Sequence, residues 1–354
     1  MVDVKQYTHE ALTLLDSIIR IPSISRDELL AADFLQNYIE ETGMMTWRFG
    51  NNIWCMNRKM DPAKPTILLN SHIDTVKPVN GWRRHPYTSK YEDGKLYGLG
   101  SNDAGASVVS LLQVYRYLRE TQQAYNLIFL ASCEEEVSGK NGIESVLPKL
   151  PPIALGVVGE PTEMQPAIAE KGLMVLDVTA YGTAGHAARD EGENAIYKAM
   201  DDIEWFRTYR FPKESSFLGP VKMSVTQINA GTQHNVIPDI CNFVVDIRSN
   251  EFYSNQEIFA HIKDNISCEP KARSFRLNSS RIDTEHPFVK RAVELGRTPV
   301  GSPTLSDQAL MNFPSVKIGP GKSSRSHTAD EFILISEIEE GIDLYIKLLD
   351  GLVL

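Results

Sequence analysis

The stretch "LLNSHIDTV", Leu68 to Val76, sets the first question. With Ile67, its leucines read as the end of a buried strand. The chain then places His72 and Asp74 two residues apart, on one side of an extended backbone, because successive side chains alternate. Ligands of open α/β sheets gather at the carboxyl ends of the strands. The stretch therefore reads as a core strand carrying an imidazole and a carboxylate to a site. A chance pair in a loop fits it as well, so the argument depends on what lies around it.

Outward from this strand the first half alternates. Helical spacing covers residues 7–20 and 27–42, with short strands near 46–49, 53–57 and 66–71. Another helix spans 104–118, and "NLIFLAS" (126–132) and "ALGVVGE" (154–160) are continuous apolar strands of the kind buried on both faces. This predicts a layered α/β domain. After Gly172 the order becomes strand ("LMVLDVTAY"), helix (194–210), two strands ("VKMSVTQIN", "CNFVVDIRS"), helix (255–266) and a last strand ("ARSFRLNSS"). That is the β-α-β-β-α-β order of a ferredoxin-like α+β insert. A helix at 286–296, one near 306–312, a strand "SVKIG" and a C-terminal helix from 336 resume the first pattern. The expected organisation is a mixed-sheet domain of 1–171 plus 282–354, interrupted by a smaller domain at 172–281.

Further strand ends carry chemistry. In "GLGSNDAGAS" (98–107) the third glycine of a dinucleotide fingerprint is replaced by Asp103, whose charge repels a pyrophosphate. Asp103 is then either a helix cap or a metal ligand. In "ASCEEEVSG" Glu134, Glu135 and Glu136 follow a buried strand. A solvated loop tolerates three adjacent carboxylates, whereas burial favours them only beside a cation. Glu160 ends the next strand, and "SHTADE" supplies His327. Two imidazoles among several carboxylates suit zinc or a similar divalent ion. Two histidines shared among three or more acids suggest two ions bridged by one carboxylate. No G-x-S-x-G elbow occurs, and "GPGKSS" lacks the leading glycine of a phosphate loop, because Val316 stands there.

The totals narrow the class. The chain has 354 residues with a net charge of −10, which argues against a nucleic-acid partner. It shows no signal-peptide pattern and no apolar run of membrane-spanning length. Four cysteines without C-x-x-C spacing read as reduced, buried thiols. A cytoplasmic protein with no membrane partner is expected.

Taken jointly, "SHIDTV", "GLGSND", "EEEVSG", "GEPT", "GHAARDEGENAI", "NVIPD", "DIRS", "GPG" and "HTADE" resemble the M20 family of metallopeptidases and deacylases, in order along nearly the whole chain. The resemblance is to the acetylornithine deacetylase and succinyl-diaminopimelate desuccinylase group. It implies a zinc-hydrolase domain with two zinc ions, or cobalt in their place. Asp103 would bridge them. His72 and Glu160 would complete one shell, Glu136 and His327 the other. Glu135 would be the general base, and Asp74 would hold the other nitrogen of His72. The insert would be a lid and dimerisation domain, giving a homodimer. His186 would steady an oxyanion, and Asn235 and Arg248 would hold substrate, Arg248 through an α-carboxylate. The implied reaction is hydrolysis of an N-acyl-L-amino acid, nearest the N-acetyl- or N-succinyl-ornithine and -citrulline deacylases of arginine biosynthesis. A desuccinylase of diaminopimelate and a di- or aminopeptidase are the alternatives. The "Ala104-Gly105-Ala106" that follows Asp103 departs from the Lys-Gly common in that group.

Overall fold

The computed structural model describes residues 4–189 and 191–354. It divides into two compact units, Met1–Ile168 with Ile282–Val300 and Ser306–Leu354, and Ala169–Arg281 with Gly301–Leu305. The short stretch 301–305, which the sequence reading left in the larger domain, falls in the second unit.

The first unit is a mixed α/β layer built on a sheet in the order Trp47–Phe49, Asn52–Met56, Asn126–Ser132, Thr66–His72, Leu155–Val158, Ser315–Lys317. The last four run parallel to one another, and the two at the edge are antiparallel. Alternation along Thr66–His72 feeds two cores. Ile67 and Leu69 join the helices Val4–Ile19, Ala106–Leu118 and Ile335–Leu349 on one face. Leu68 joins Trp54, Ile128, Leu130, Ile143 and Val146 on the other. This double burial is why the strand is apolar at every one of those positions. Truncating such a leucine to alanine costs about 2–5 kcal/mol. The parallel strands all end at one edge, so the residues that follow them converge there.

The second unit is a four-stranded antiparallel sheet in the order Lys222–Ala230, Ile240–Arg248, Met174–Tyr181, Glu269–Ala272. Its helices are Ala195–Thr208 and Asn255–Asn265, the latter opened by a capping box of Ser254 and Glu257. Chain order is β-α-β-β-α-β. Phe243, Val245 and Ile247 point into its core with Ile258, Ile262 and Phe206.

Two elements differ from the sequence reading. The last strand of this four-stranded sheet is Glu269–Ala272 rather than 272–280. "EPKA" contains a proline and two charges and reads poorly as a strand. It lies at the sheet edge, where a missing amide is tolerated. Most of the alternating "ARSFRLNSS" instead serves as a brace, with Asn278 Oδ1 accepting from the Asn255 amide. The helix expected near 306–312 is a single 3₁₀ turn, Asp307–Leu310. The four cysteines are free and buried. No helix among the described residues is long and apolar enough to cross a membrane.

Candidate metal centre

His72 closes its strand and is 2% exposed. Its Nδ1 lies 2.9 Å from the main-chain oxygen of Asp74 and 3.6 Å from Asp74 Oδ1. The sequence reading gave this nitrogen to the Asp74 carboxylate; the carbonyl is the nearer partner. The carboxylate is occupied elsewhere. It accepts from Ser25 Oγ at 2.7 Å, from the Glu135 amide at 3.0 Å and from the Glu136 amide at 3.2 Å. Asp74 thus orients the imidazole and pins the backbone of both glutamates.

With Nδ1 engaged, Nε2 faces the site. It lies 3.3 Å from Asp103 Oδ1, 3.6 Å from Glu160 Oε1 and 4.0 Å from Glu135 Oε2. On the other side, His327 Nε2 is 3.7 Å from Asp103 Oδ2 and 2.9 Å from Glu136 Oε2. The donor atoms form two sets, His72–Asp103–Glu160 and Asp103–Glu136–His327, each gathered within 4.8 Å. Asp103 belongs to both and presents one oxygen to each histidine, which is the arrangement of a bridging carboxylate.

The three successive glutamates part ways. Glu134, in a left-handed conformation at φ 55°, turns inward and accepts from Asn141 Nδ2 at 2.9 Å. Glu136 turns to His327, and Glu135 turns to His72, with Oε2 at 4.0 Å from Nε2. Burial drives the Glu135 carboxyl well above its usual range; His72 opposes this, while Glu160, Asp307 and Glu136 add to it. Burial likewise pushes Glu160 up to about 8, against His72 and with Asp103. The hydrogen bond that His327 donates to the Glu136 carboxylate raises its pKa to about 9. His72 is disfavoured as a cation by burial, yet Glu135, Asp103, Asp74 and Glu160 together hold its pKa well above the ordinary value. Asp103 stays low despite its burial, because His72 and His327 face it. The centre therefore carries more negative charge than its two imidazoles balance. Hard oxygen donors with two imidazole nitrogens, crowded and unneutralised, fit a pair of divalent cations.

Two acids were not singled out in the sequence. Asp307, 4% exposed, accepts from Ser132 Oγ at 2.6 Å, and turning the Asn70 amide lets its nitrogen donate at 3.1 Å. Burial pushes Asp307 up to about 6. Glu331, 2% exposed, accepts from the backbone amides of Gly100, Asn102 and Asp103. Burial pushes it up to about 8. The only signal for either was its place inside a polar run, "TLSD" and "TADE".

The remaining expected residues lie in the second unit. His186 is exposed on the short strand Gly185–His186, and its Nδ1 accepts from the Ala188 amide at 3.1 Å, which leaves the proton on Nε2. Asn235 is brought beside it, its carbonyl accepting from the Ala187 amide at 3.0 Å. Arg248 ends its strand one-third exposed and makes a two-pronged pair with Asp246, at 2.8 and 3.1 Å.

Residues 68–351 match the model of peptidase family M20/M25/M40. The chain belongs to that family. As an M20 member it is a metal-dependent hydrolase, and the two donor sets that share Asp103 are its candidate metal site. At 26% identity, 97% of the chain aligns with 98% of a putative succinyl-diaminopimelate desuccinylase from Mycobacterium tuberculosis. At the same identity, 80% aligns with 79% of an acetylornithine deacetylase from Proteus mirabilis. Among solved structures, aminopeptidase PepT from Bacillus cereus superposes with a TM-score of 0.76 at 18% identity, covering 97% of this chain and 98% of that one. The YXEP protein of Bacillus subtilis, described as a dinuclear metal binding peptidase, gives 0.71 at 17%, covering 97% and 98%. These structural likenesses establish the M20 fold.

Proposed function

We propose that this M20 hydrolase cleaves the amide bond of an N-acyl-L-amino acid, as an acetylornithine deacetylase-like enzyme. Its substrates are N-acetyl or N-succinyl derivatives of ornithine or citrulline, which places it in arginine biosynthesis. The observation that carries the hydrolytic chemistry is Glu135, a buried carboxyl of raised pKa set beside two donor sets that share Asp103. The relatives named deacetylase and desuccinylase support the acyl-amino-acid substrate.

His72, Asp103 and Glu160 would hold one zinc ion, and Asp103, Glu136 and His327 the other. Bound there, the ions acidify a water and polarise the amide carbonyl. Glu135 takes the proton of that water and returns it to the departing amine. Asp74 fixes the Glu135 amide and the His72 ring, so the acceptor and the donors keep their spacing. His186 presents Nε2–H as a hydrogen-bond donor to the developing oxyanion. Arg248, oriented by Asp246, keeps guanidinium N–H groups for the α-carboxylate, and Asn235 supports the His186 segment. We place the protein in the cytoplasm as a homodimer, formed through the outer edge of Lys222–Ala230, where Ile228 is exposed.

The test is amine release from N-acetyl and N-succinyl ornithine, citrulline and diaminopimelate and from two dipeptides, with a chelated control. Chelator-sensitive release from one or two N-acyl amino acids is the expected result. Release from the dipeptides alone would transfer the protein to the peptidase branch.

A further inference from the structure

We propose that Glu331 is a positioning residue for one of the two ions: its carboxylate clasps the Asp103 loop to the His327 loop, so that Asp103, Glu136 and His327 converge on a single cation. The proposal rests on the two-ion reading of the centre.

The clasp is built from both sides. Glu331 Oε1 accepts from the amides of Asn102 at 2.8 Å and Asp103 at 3.0 Å, and Oε2 accepts from Gly100 at 3.0 Å. The Glu331 carbonyl also accepts from Gly98 at 3.0 Å. In return the Asn102 side chain donates to the Lys322 carbonyl at 3.0 Å and accepts from the Lys322 amide at 3.0 Å. Gly100 has φ +76°, and a Cβ there would lie 2.6 Å from Thr75, so the loop adopts this path only with glycine. His327 and Asp330 also have positive φ, at 58° and 55°. Non-glycine residues hold such conformations only when their surroundings impose them. Asp330 secures the far side of the loop, accepting from the amides of Arg83 and Arg84 at 3.0 and 3.1 Å. Glu331 alone of these two reaches the backbone of the bridging aspartate.

The two ions differ in how their donors are held. His72 ends a central strand, and Glu160 follows the neighbouring parallel strand by two residues. Sheet pairing sets their spacing. Asp103 and His327 both sit in loops, and the clasp is what sets theirs. Weakening it should therefore loosen the Asp103–Glu136–His327 ion most, and the other less, because that one shares Asp103 but keeps two donors set by the sheet.

Chelator-stripped protein titrated with Zn²⁺ by calorimetry tests this. Wild type should take up two ions per chain. Glu331→Gln can keep its oxygen on Asn102 and Asp103 but turns an NH₂ against the Gly100 amide. It should weaken one binding event roughly 10–100-fold, the usual cost of losing a ligand's supporting partner, and the other, which shares Asp103, by clearly less. The less affected event should match the one left in His327→Ala. Glu331→Ala, which strands three amides, should weaken the same event further; if it does not fold, the near-isosteric glutamine variant carries the test. At limiting Zn²⁺ the glutamine variant should lose kcat with KM unchanged, and excess Zn²⁺ should restore it. Wild-type affinity for both ions in Glu331→Gln, or an equal loss of both, overturns the proposal. Wild type that binds fewer than two ions overturns the two-ion reading itself, a different and recognisable failure.

Discussion

The two units hold their chemistry in opposite ways. In the first, the expected donors are tied to a buried framework. His72 is 2% exposed, Asp74 fixes the backbone of Glu135 and Glu136, and Glu331 fixes that of Asp103. In the second, His186 is exposed on a short two-stranded ladder with Asn235 exposed just before its partner strand, and Arg248 is steadied by Asp246. A reaction that needs two ions at a set distance demands the first arrangement. The proposed recognition of a substrate that must enter and leave would be served by the second.

That contrast can be broken at four places. The largest effect belongs to Asp103→Ala, which removes the donor common to both sets. It should abolish turnover and the tight uptake of both ions, read by metal analysis after gel filtration. Next, Glu135→Gln should keep both ions and lower kcat by about 10²–10⁴-fold, the range of a general acid–base. Normal turnover in this variant would remove Glu135 as the base. Arg248→Ala should leave metal content untouched and lower kcat/KM by about 10–100-fold, the equivalent of one or two charged hydrogen bonds. Metal loss in that variant would erase the division of labour between the units.

The smallest effect is on stability. Glu160 and Glu331 are raised to about 8 and His327 to about 9 in the folded chain. Each binds its proton more tightly folded than unfolded. The stability this contributes is full below the unfolded values, about 4.3 for Glu and 6.5 for His, and is lost as pH rises through 8 and 9. The Tm of chelated protein should therefore fall by a few degrees from about pH 5 to pH 9, and less so with ions bound, in thermal melts. A flat profile without metal would mean that the centre stores no unbalanced charge.

The central sheet was legible because its strands are apolar at consecutive positions and end on polar residues, as "LLNSHID" and "NLIFLASCEEE" do. His72, Glu136 and Glu160 were legible as candidates for the same reason, since they sit where such strands stop. Asp307 and Glu331 were not. Their work is done on a serine hydroxyl, an amide side chain and main-chain N–H groups, and nothing in a sequence marks which amide will need an acceptor. Glu269–Ala272 was hidden for a related reason. An edge strand is defined by what it pairs with, and its proline and charges point the other way.

The donor set also has an order in time. His72, Asp103, Glu136 and Glu160 all lie in the first half of the chain, whereas His327 and the Glu331 that steadies its loop lie near the C-terminal end. During synthesis the nascent chain acquires four of the five donors, and Glu135, long before the fifth emerges from the ribosome. Until then the chain lacks both the histidine of the second set and the carboxylate that accepts from the Asp103 amide. Hydrolysis that depends on both donor sets thus waits for His327 to be made, and a translation product interrupted before it lacks a donor.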